Sequence, residues 1–284
     1  MWHFTPERFE RLRRAIAAEA RKVPAPQKMT RAFACPRRAA SALVRVAEAA
    51  KSEVMPAGPP FSLVIFDCDG VLIDSEIISA RMLVTELGKL GVAIDLDYVA
   101  RNFLGRSYPT VMQQIRTEFG LTLPDSFEED YREGLLAAFR RDLRVVPGVR
   151  QVLEDLAVPF CVATSSSPRR AEMSLGLVGL RDLAGARLFT STMVAKGKPA
   201  PDLFLHAAQA MGVAPAATLV IEDSLTGIRA GLAAGMQVWR FTGGSHLGPA
   251  TPEEPEDARP HRRLEAFDRF FQIAPTLRRG RRTA

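Results

Sequence analysis

The sequence predicts an α/β protein, a doubly wound, Rossmann-like parallel sheet interrupted by an inserted all-helical segment. From Phe61 onward, short apolar runs bounded by turn residues alternate with stretches of helical periodicity. Buried strands alternating with helices require right-handed crossovers and a parallel sheet covered on both faces. About 90 residues separate the first apolar run from the second, too many for a single crossover helix.

Residues 1 to 60 form a basic extension. Thr5 and Pro6 fit an N-cap followed by the first helical position, with Phe9, Leu12 and Ile16 on one face. Pro24, Pro26 and Pro36 interrupt before an Ala-rich stretch from Ala39 to Ala50. So thin an apolar stripe predicts marginal helices and partial disorder. The region has no uninterrupted apolar segment of the kind a secretory signal needs, and its five glutamates count against an Arg-rich transit peptide. Met55, six residues before Phe61, is an alternative start of translation.

The expected strands are Ser62–Phe66, Phe160–Thr164, Leu188–Thr190, Thr218–Ile221 and Val238–Phe241. Helices are expected near 148 to 157, 168 to 178, 200 to 211 and 226 to 234. Between the first two strands, 76 to 90, 108 to 119 and 126 to 142 have helical periodicity and no strand signal. The core is therefore expected at 61 to 75 and 146 to 247, with a helical cap at 76 to 145. Residues 248 to 284 read as a Pro-rich flexible linker, a last helix near Leu264 to Ile273 and a basic tail.

Composition narrows the function classes. The 284 residues are 47% hydrophobic and 25% charged, enough to bury a core. No apolar run approaches the roughly 20 residues of a membrane span. Three scattered cysteines, Cys35, Cys68 and Cys161, suit a reducing, cytoplasmic setting better than a disulfide framework. The net charge of +6 first suggests a polyanionic partner, but residues 1 to 60 carry +7, residues 61 to 275 carry −5 and residues 276 to 284 carry +4. The central region is acidic, and the basic ends contain few aromatics for stacking, which disfavours a nucleic-acid partner. No feature specifies an oligomeric state.

In a doubly wound sheet, ligands bind at the carboxyl ends of the strands. The first strand ends in Asp67-Cys68-Asp69-Gly70. Alternation puts Asp67 and Asp69 on one side and turns Cys68 into the core, while Gly70 lets the chain turn. Two such carboxylates repel, and a divalent cation relieves them; the plainer reading is turn and cap carboxylates. The second strand ends in Thr164-Ser165-Ser166-Ser167-Pro168, where Ser167 can cap a helix and leave Ser165 and backbone amides as an anion site. An ordinary polar loop fits that segment equally well. Lys196-Gly197-Lys198-Pro199 opens another helix, and Glu222-Asp223 ends the fourth strand. Acids after strands one and four, a hydroxyl after two and a lysine between them make a coherent magnesium and phosphate pocket.

These segments, DCDGVLIDS at 67 to 75, TSSSP at 164 to 168, KGKPAPDLF at 196 to 204 and IEDSLTGIRAGLAAGM at 221 to 236, resemble the four ordered motifs of the haloacid dehalogenase-like superfamily. The resemblance spans about 61 to 245 and is strongest to beta-phosphoglucomutase-like phosphatases with a small helical cap. It implies that Asp67 is the nucleophile and Asp69 the general acid and base. It implies Mg²⁺ held by Asp67, the Asp69 carbonyl and Asp223, with Glu222 supporting through water. Ser165, the Ser166 amide and Lys198 would hold the phosphate; Thr164 is the alternative hydroxyl, Ser165 being preferred because it stands three residues before Pro168. Glu76 and Arg106 would face the substrate, with helix capping the plainer role for Asp74 and Ser75 and solvation that for Arg106.

The mutases of this family use a cap histidine twelve positions after the nucleophile, where this chain has Ser79. Its histidines, His3, His206, His246 and His261, all lie outside the cap. The expected function is thus hydrolysis of a small-molecule phosphate ester, a sugar or sugar-acid phosphate, with Mg²⁺. A phosphosugar mutase and a basic-tailed binder of nucleic acid or anionic surfaces are the alternatives. Dehalogenation is disfavoured because Asp69 is present, and phosphonate hydrolysis has Lys89 as its one candidate cap lysine.

Overall fold

The computed structural model describes residues 60 to 280 apart from 104, 125, 186 and 248 to 253. The helices expected in the N-terminal extension and the last four residues lie outside this set. Six parallel strands, β1 (Leu63–Phe66), β2 (Phe160–Thr164), β3 (Leu188–Thr190), β4 (Thr218–Glu222), β5 (Gln237–Phe241) and β6 (Arg262–Leu264), form one sheet in the order β3-β2-β1-β4-β5-β6. The chain steps outward from β1 through β2 to β3, then returns to the other side of β1 with β4. The direction of winding reverses between β1 and β4, and a crevice opens there beyond their carboxyl ends.

Side-chain alternation sorts the core into two layers. Val64, Phe66, Val162, Leu219 and Ile221 face one layer, filled by Val149, Val152 and Leu153 of helix α5 (Val149–Asp155) and Leu175 of α6 (Pro168–Leu177). Leu63, Ile65, Cys161, Ala163 and Val220 face the other, against Leu203, Phe204 and Ala207 of α8 (Asp202–Ala210) and Ile228 of α9 (Leu225–Ala233). A short α7 (Arg181–Ala184) leads into β3. Each fully buried large apolar side chain contributes roughly 1.5–3 kcal/mol. α9 approaches the sheet closely because Gly231 faces it: a Cβ there would lie 2.7 Å from Val238 Cγ2.

Between β1 and α5 the chain is helical: α1 (Glu76–Lys89), α2 (Leu96–Asn102), α3 (Tyr108–Phe119) and α4 (Phe127–Asp142). α1 packs on α4 and α2, burying Leu83 and Leu87 with Leu135, Leu136 and Phe139. The sequence misses α2, whose seven residues bury only Val99 and so leave a faint periodic signal. Its start is fixed chemically, with Asp95 accepting the Tyr98 amide at 2.7 Å.

The C-terminal region departs from expectation. Instead of a helix near Leu264 to Ile273, the chain forms β6, a 3₁₀ turn at Phe267–Arg269 and a single-turn α10 (Phe270–Ile273). Phe267 and Phe270 are buried against Phe66 and extend the core beyond helix α5. Residues 254 to 260, read as flexible linker, are anchored: Glu254 bridges Arg240 at 2.7 Å and Arg263 at 2.6 Å, and Ala258 is fully buried. β6 is short, and only Leu264 in it is buried, so no apolar run announces it. The basic run at the C-terminus is partly docked, with Arg278 bonded to Asp155 at 3.0 Å and the Arg279 amide to the Asp155 carbonyl at 2.7 Å. Among the described residues no helix is long and apolar enough to cross a membrane.

Candidate active site

The ends of β1 and β4 bring the two acidic pairs together. The Asp67 amide continues the ladder to the Ile221 carbonyl at 2.9 Å, which fixes Asp67 directly beside Glu222 and Asp223. One carboxylate oxygen from each of these three residues lies within 4.8 Å of the others, and all three residues are buried. Gly70 turns away at φ 77°, and any Cβ there would collide with Asp223. Gly227 performs the same service for Glu222, whose carboxylate fills the space a Cβ would take.

Lys198 enters this cluster from the loop after β3, across a cis peptide to Pro199. Its ammonium donates to Asp67 Oδ1 at 2.6 Å, to Glu222 Oε1 at 2.8 Å and to the Ala163 carbonyl at 3.2 Å. It also lies 4.8 Å from the Phe204 ring centroid. Burial works against the charged lysine, but Asp67 and Glu222 outweigh it and hold Lys198 above the ordinary lysine range. Burial, and then Glu222, Asp223 and Asp69, pushes the Asp67 carboxyl well above the usual carboxylate range in spite of Lys198. Burial and Glu222 do the same to Asp223.

The chemistry of this donor set fits a divalent cation. Among the described residues the Lys198 ammonium bridges Asp67 and Glu222 but does not reach Asp223, so the three acids keep a formal surplus of two negative charges in a buried space. Glu222 is satisfied without a metal, since Oε1 takes Lys198 and Oε2 accepts the Ser224 amide and hydroxyl at 2.7 and 3.0 Å. Asp223 Oδ2 is buried and has no hydrogen-bond partner among the described residues. His246 Nε2 stands 2.9 Å from it, but off hydrogen-bonding geometry.

Asp69 is held by a different set. Its Oδ1 accepts Ser75 Oγ at 2.6 Å and Arg170 Nη2 at 2.7 Å, and its Oδ2 accepts Ser166 Oγ at 2.6 Å and Thr164 Oγ1 at 3.4 Å. Burial alone would raise its carboxyl, but Arg170 and the Ser166 and Ser75 hydroxyls overcome that and hold it below the usual range. The two carboxyls after β1 are thus pushed in opposite directions by their surroundings.

The loops after β1 and β2 make two bonds that differ from expectation. Ser75 is not a helix cap, because its hydroxyl goes to Asp69. The Ser166 hydroxyl also goes to Asp69, and its amide donates to Thr164 Oγ1 at 3.0 Å instead of standing free for an anion. Thr164 is buried in these contacts, whereas Ser165 lines the cavity with one long bond to the Gly105 carbonyl at 3.4 Å. Ser167 accepts the Arg170 amide and Pro168 opens α6, as expected. Asp74 accepts both the amide and hydroxyl of Ser245, tying the β1 loop to the loop after β5. Cys68 is fully buried among apolar side chains.

A cavity of about 760 Å³ lies over these groups, walled below by Asp67, Ser165 and Lys198 and above by Glu76, Arg106 and Tyr131 of the inserted segment. Arg106 is exposed and bonds Gln114 at 2.8 Å. Burial first, then Asp69 and Asp223, raises the Glu76 carboxyl to about 8. Sequence reasoning misses Arg170 and His246. Arg170 stands three residues after the cap Ser167, on the helix turn nearest the strand ends, which is the signal that could have exposed it. His246 lies in a loop with no periodic pattern.

Comparison with known proteins bears on the family and the fold. Residues 61 to 235 match the family described as haloacid dehalogenase-like hydrolase. The chain is 31% identical over 187 residues to the 6-phosphogluconate phosphatase of Escherichia coli, covering 66% of this chain and 85% of that one. A haloacid dehalogenase-like protein of unknown function from Agrobacterium tumefaciens superposes with a TM-score of 0.66 at 34% identity, over 75% of this chain and 97% of that one. A family hydrolase from Deinococcus radiodurans, solved with bound phosphate and sodium, gives 0.61 at 31% identity over 78% and 100%.

Proposed function

Because the chain belongs to the haloacid dehalogenase-like hydrolase family, we propose that it is a Mg²⁺-dependent phosphatase of small phosphorylated metabolites, a sugar or sugar-acid phosphate. The observation that carries this reading is the buried meeting of Asp67, Glu222, Asp223 and Lys198 beneath a cavity large enough for a sugar phosphate. The 6-phosphogluconate phosphatase relative supports the substrate class, and the bound phosphate of the Deinococcus relative supports the pocket's taste for that group.

Asp67 attacks phosphorus through a carboxylate oxygen as the bond to the leaving oxygen breaks, giving an aspartyl-phosphate. Asp69, held below the usual carboxylate range by Arg170 and the serine hydroxyls in the free protein, takes up a proton from solvent as substrate binds and gives it to the departing alkoxide. The resulting carboxylate then takes a proton from water, whose oxygen attacks phosphorus and frees phosphate and Asp67. Lys198 stays against Asp67 Oδ1 and offsets repulsion between that carboxylate and the phosphate dianion. Ser165 offers its hydroxyl to a phosphate oxygen from the cavity floor. A divalent cation held by Asp67, the Asp69 carbonyl and Asp223 would neutralise charge on the transferring group. Glu222 anchors Lys198 and Ser224 and so keeps the lysine and the start of α9 in place. The inserted helices act as a cap that admits substrate and then excludes water.

A mutase must protect its phosphoenzyme from water. Ser79 stands where the mutases have a histidine, and here it bonds Arg170 at 3.2 Å. With nothing there to delay hydrolysis, the phosphatase reading is favoured. A phosphate-release screen over phosphorylated metabolites with Mg²⁺ tests it: release from sugar or sugar-acid phosphates is expected, and no release from any member would overturn the reading.

A further inference from the structure

Asp69 is held by three serine and threonine hydroxyls and one charged group, Arg170. The guanidinium is fastened on three sides. Nη2 donates to Asp69 Oδ1 at 2.7 Å and to Ser79 Oγ on α1 at 3.2 Å, and Cζ lies 5.2 Å from the Phe139 ring centroid on α4. Its Nε is buried with no hydrogen-bond partner among the described residues. A buried donor left unpaired is destabilising, so the arginine is kept in a place that does not serve stability well.

Its backbone origin matters as much as its contacts. Arg170 belongs to the first turn of α6, whose cap Ser167 directly follows the expected phosphate-binding serines. It is therefore carried by the element that holds the phosphate, while its contacts reach the acid of the β1 loop and two helices of the inserted segment. A guanidinium is a permanent donor with no proton to trade. It can aim the oxygens of Asp69 without competing for a proton in transit. The weakest of the four contacts to Asp69, from Thr164 at 3.4 Å, leaves one acceptor position of Oδ2 the least engaged.

We propose that Arg170 is a positioning residue that fixes Asp69 for the water-activating half of the reaction, the hydrolysis of the aspartyl-phosphate. The inference rests on the phosphatase reading above. In the step concerned, Asp69 takes one proton of water, the water oxygen bonds to phosphorus, and the bond from phosphorus to Asp67 breaks with its electron pair returning to the carboxylate. Ser79 completes the support from the side where the mutases have their histidine.

The test uses the full chain with Mg²⁺ and p-nitrophenyl phosphate, whose phenolate leaves without needing a proton, so that only the second half-reaction depends on Asp69. Arg170→Met should lower kcat about 100-fold while kcat/KM stays within about threefold of wild type, because slowing the second step lowers kcat and KM together. Acid-quenched Arg170→Met should accumulate the phosphorylated enzyme, seen by intact-protein mass, and release a burst of p-nitrophenolate. Arg170→Lys, which keeps the charge without the fork, should recover about tenfold of the loss and stands in should the methionine variant fail to fold. A parallel fall of kcat and kcat/KM without phosphoenzyme, or a rise in KM alone, would overturn the proposal. Absence of phosphate release by the wild-type chain would remove the underlying reading instead.

Discussion

The ammonium of Lys198 lies 2.6 Å from Asp67 Oδ1, with both side chains buried. Removing the lysine leaves Asp67 and Glu222 facing each other uncompensated. Lys198→Met should lower phosphate release by 10²-fold or more, on the order of an oxyanion-stabilising donor. It should also destabilise the metal-free chain by about 3–5 kcal/mol. Steady-state kinetics and denaturant melts in EDTA read the two effects separately, and unchanged kinetics would remove Lys198 from the chemistry.

His246 Nε2 backs Asp223 Oδ2 at 2.9 Å, and its imidazole is almost fully buried. Loss of that wall should let the carboxylate swing. His246→Ala is expected to weaken divalent-cation binding about 10-fold, the size typical of groups that orient a metal ligand. Calorimetric titration of the protein with Mg²⁺ reads this without reference to turnover. Wild-type affinity in the variant would show that Asp223 is held by other means.

Glu76 is raised to about 8, first by burial and then by Asp69 and Asp223. A carboxyl raised on folding binds more protons in the native state between its unfolded value and about 8, so stability falls as pH rises through that window. Glu76→Gln should therefore leave the unfolding free energy near wild type at pH 5 and raise it at pH 8 in EDTA, by on the order of 2 kcal/mol. Scanning calorimetry at the two pH values checks the sign.

Glu254 is lowered to about 2: burial opposes this, but hydrogen bonds from Arg263 and Arg240 prevail. Its contribution is present above the unfolded glutamate value and is lost as pH falls toward 2. Arg240, itself buried, also donates to the Asp223 carbonyl at 3.2 Å. Glu254→Ala leaves that buried arginine without its carboxylate and should cost about 3–5 kcal/mol at pH 7. A chemical melt measures it, and a change under 1 kcal/mol would show that Arg240 finds water.

The core strands are legible because Leu63–Phe66, Phe160–Thr164 and Thr218–Glu222 are buried on both faces and so have continuous apolar runs. The residues that end them are legible for the same reason, since a carboxylate directly after such a run has one place to go. β6 and α2 escape notice because each buries a single residue, Leu264 or Val99, and periodicity needs several. In the site, the sequence indicates which residue types gather but not how their bonds are shared. Ser75 and the Ser166 hydroxyl both serve Asp69, a choice decided by where α1 and the β2 loop meet in space. Arg170 lies 101 positions from its partner Asp69, and no local pattern reports so distant a contact.

The proposed hydrolysis turns on attack of Asp67 on phosphorus. Phosphate release from a sugar phosphate with Mg²⁺, compared between wild type and Asp67→Asn, tests it most directly. The mutation keeps the side chain's shape, so the melting curve should show a folded protein while release falls by at least about 10³-fold, as expected for loss of a nucleophile. A folded Asp67→Asn protein that releases phosphate at the wild-type rate would contradict the account.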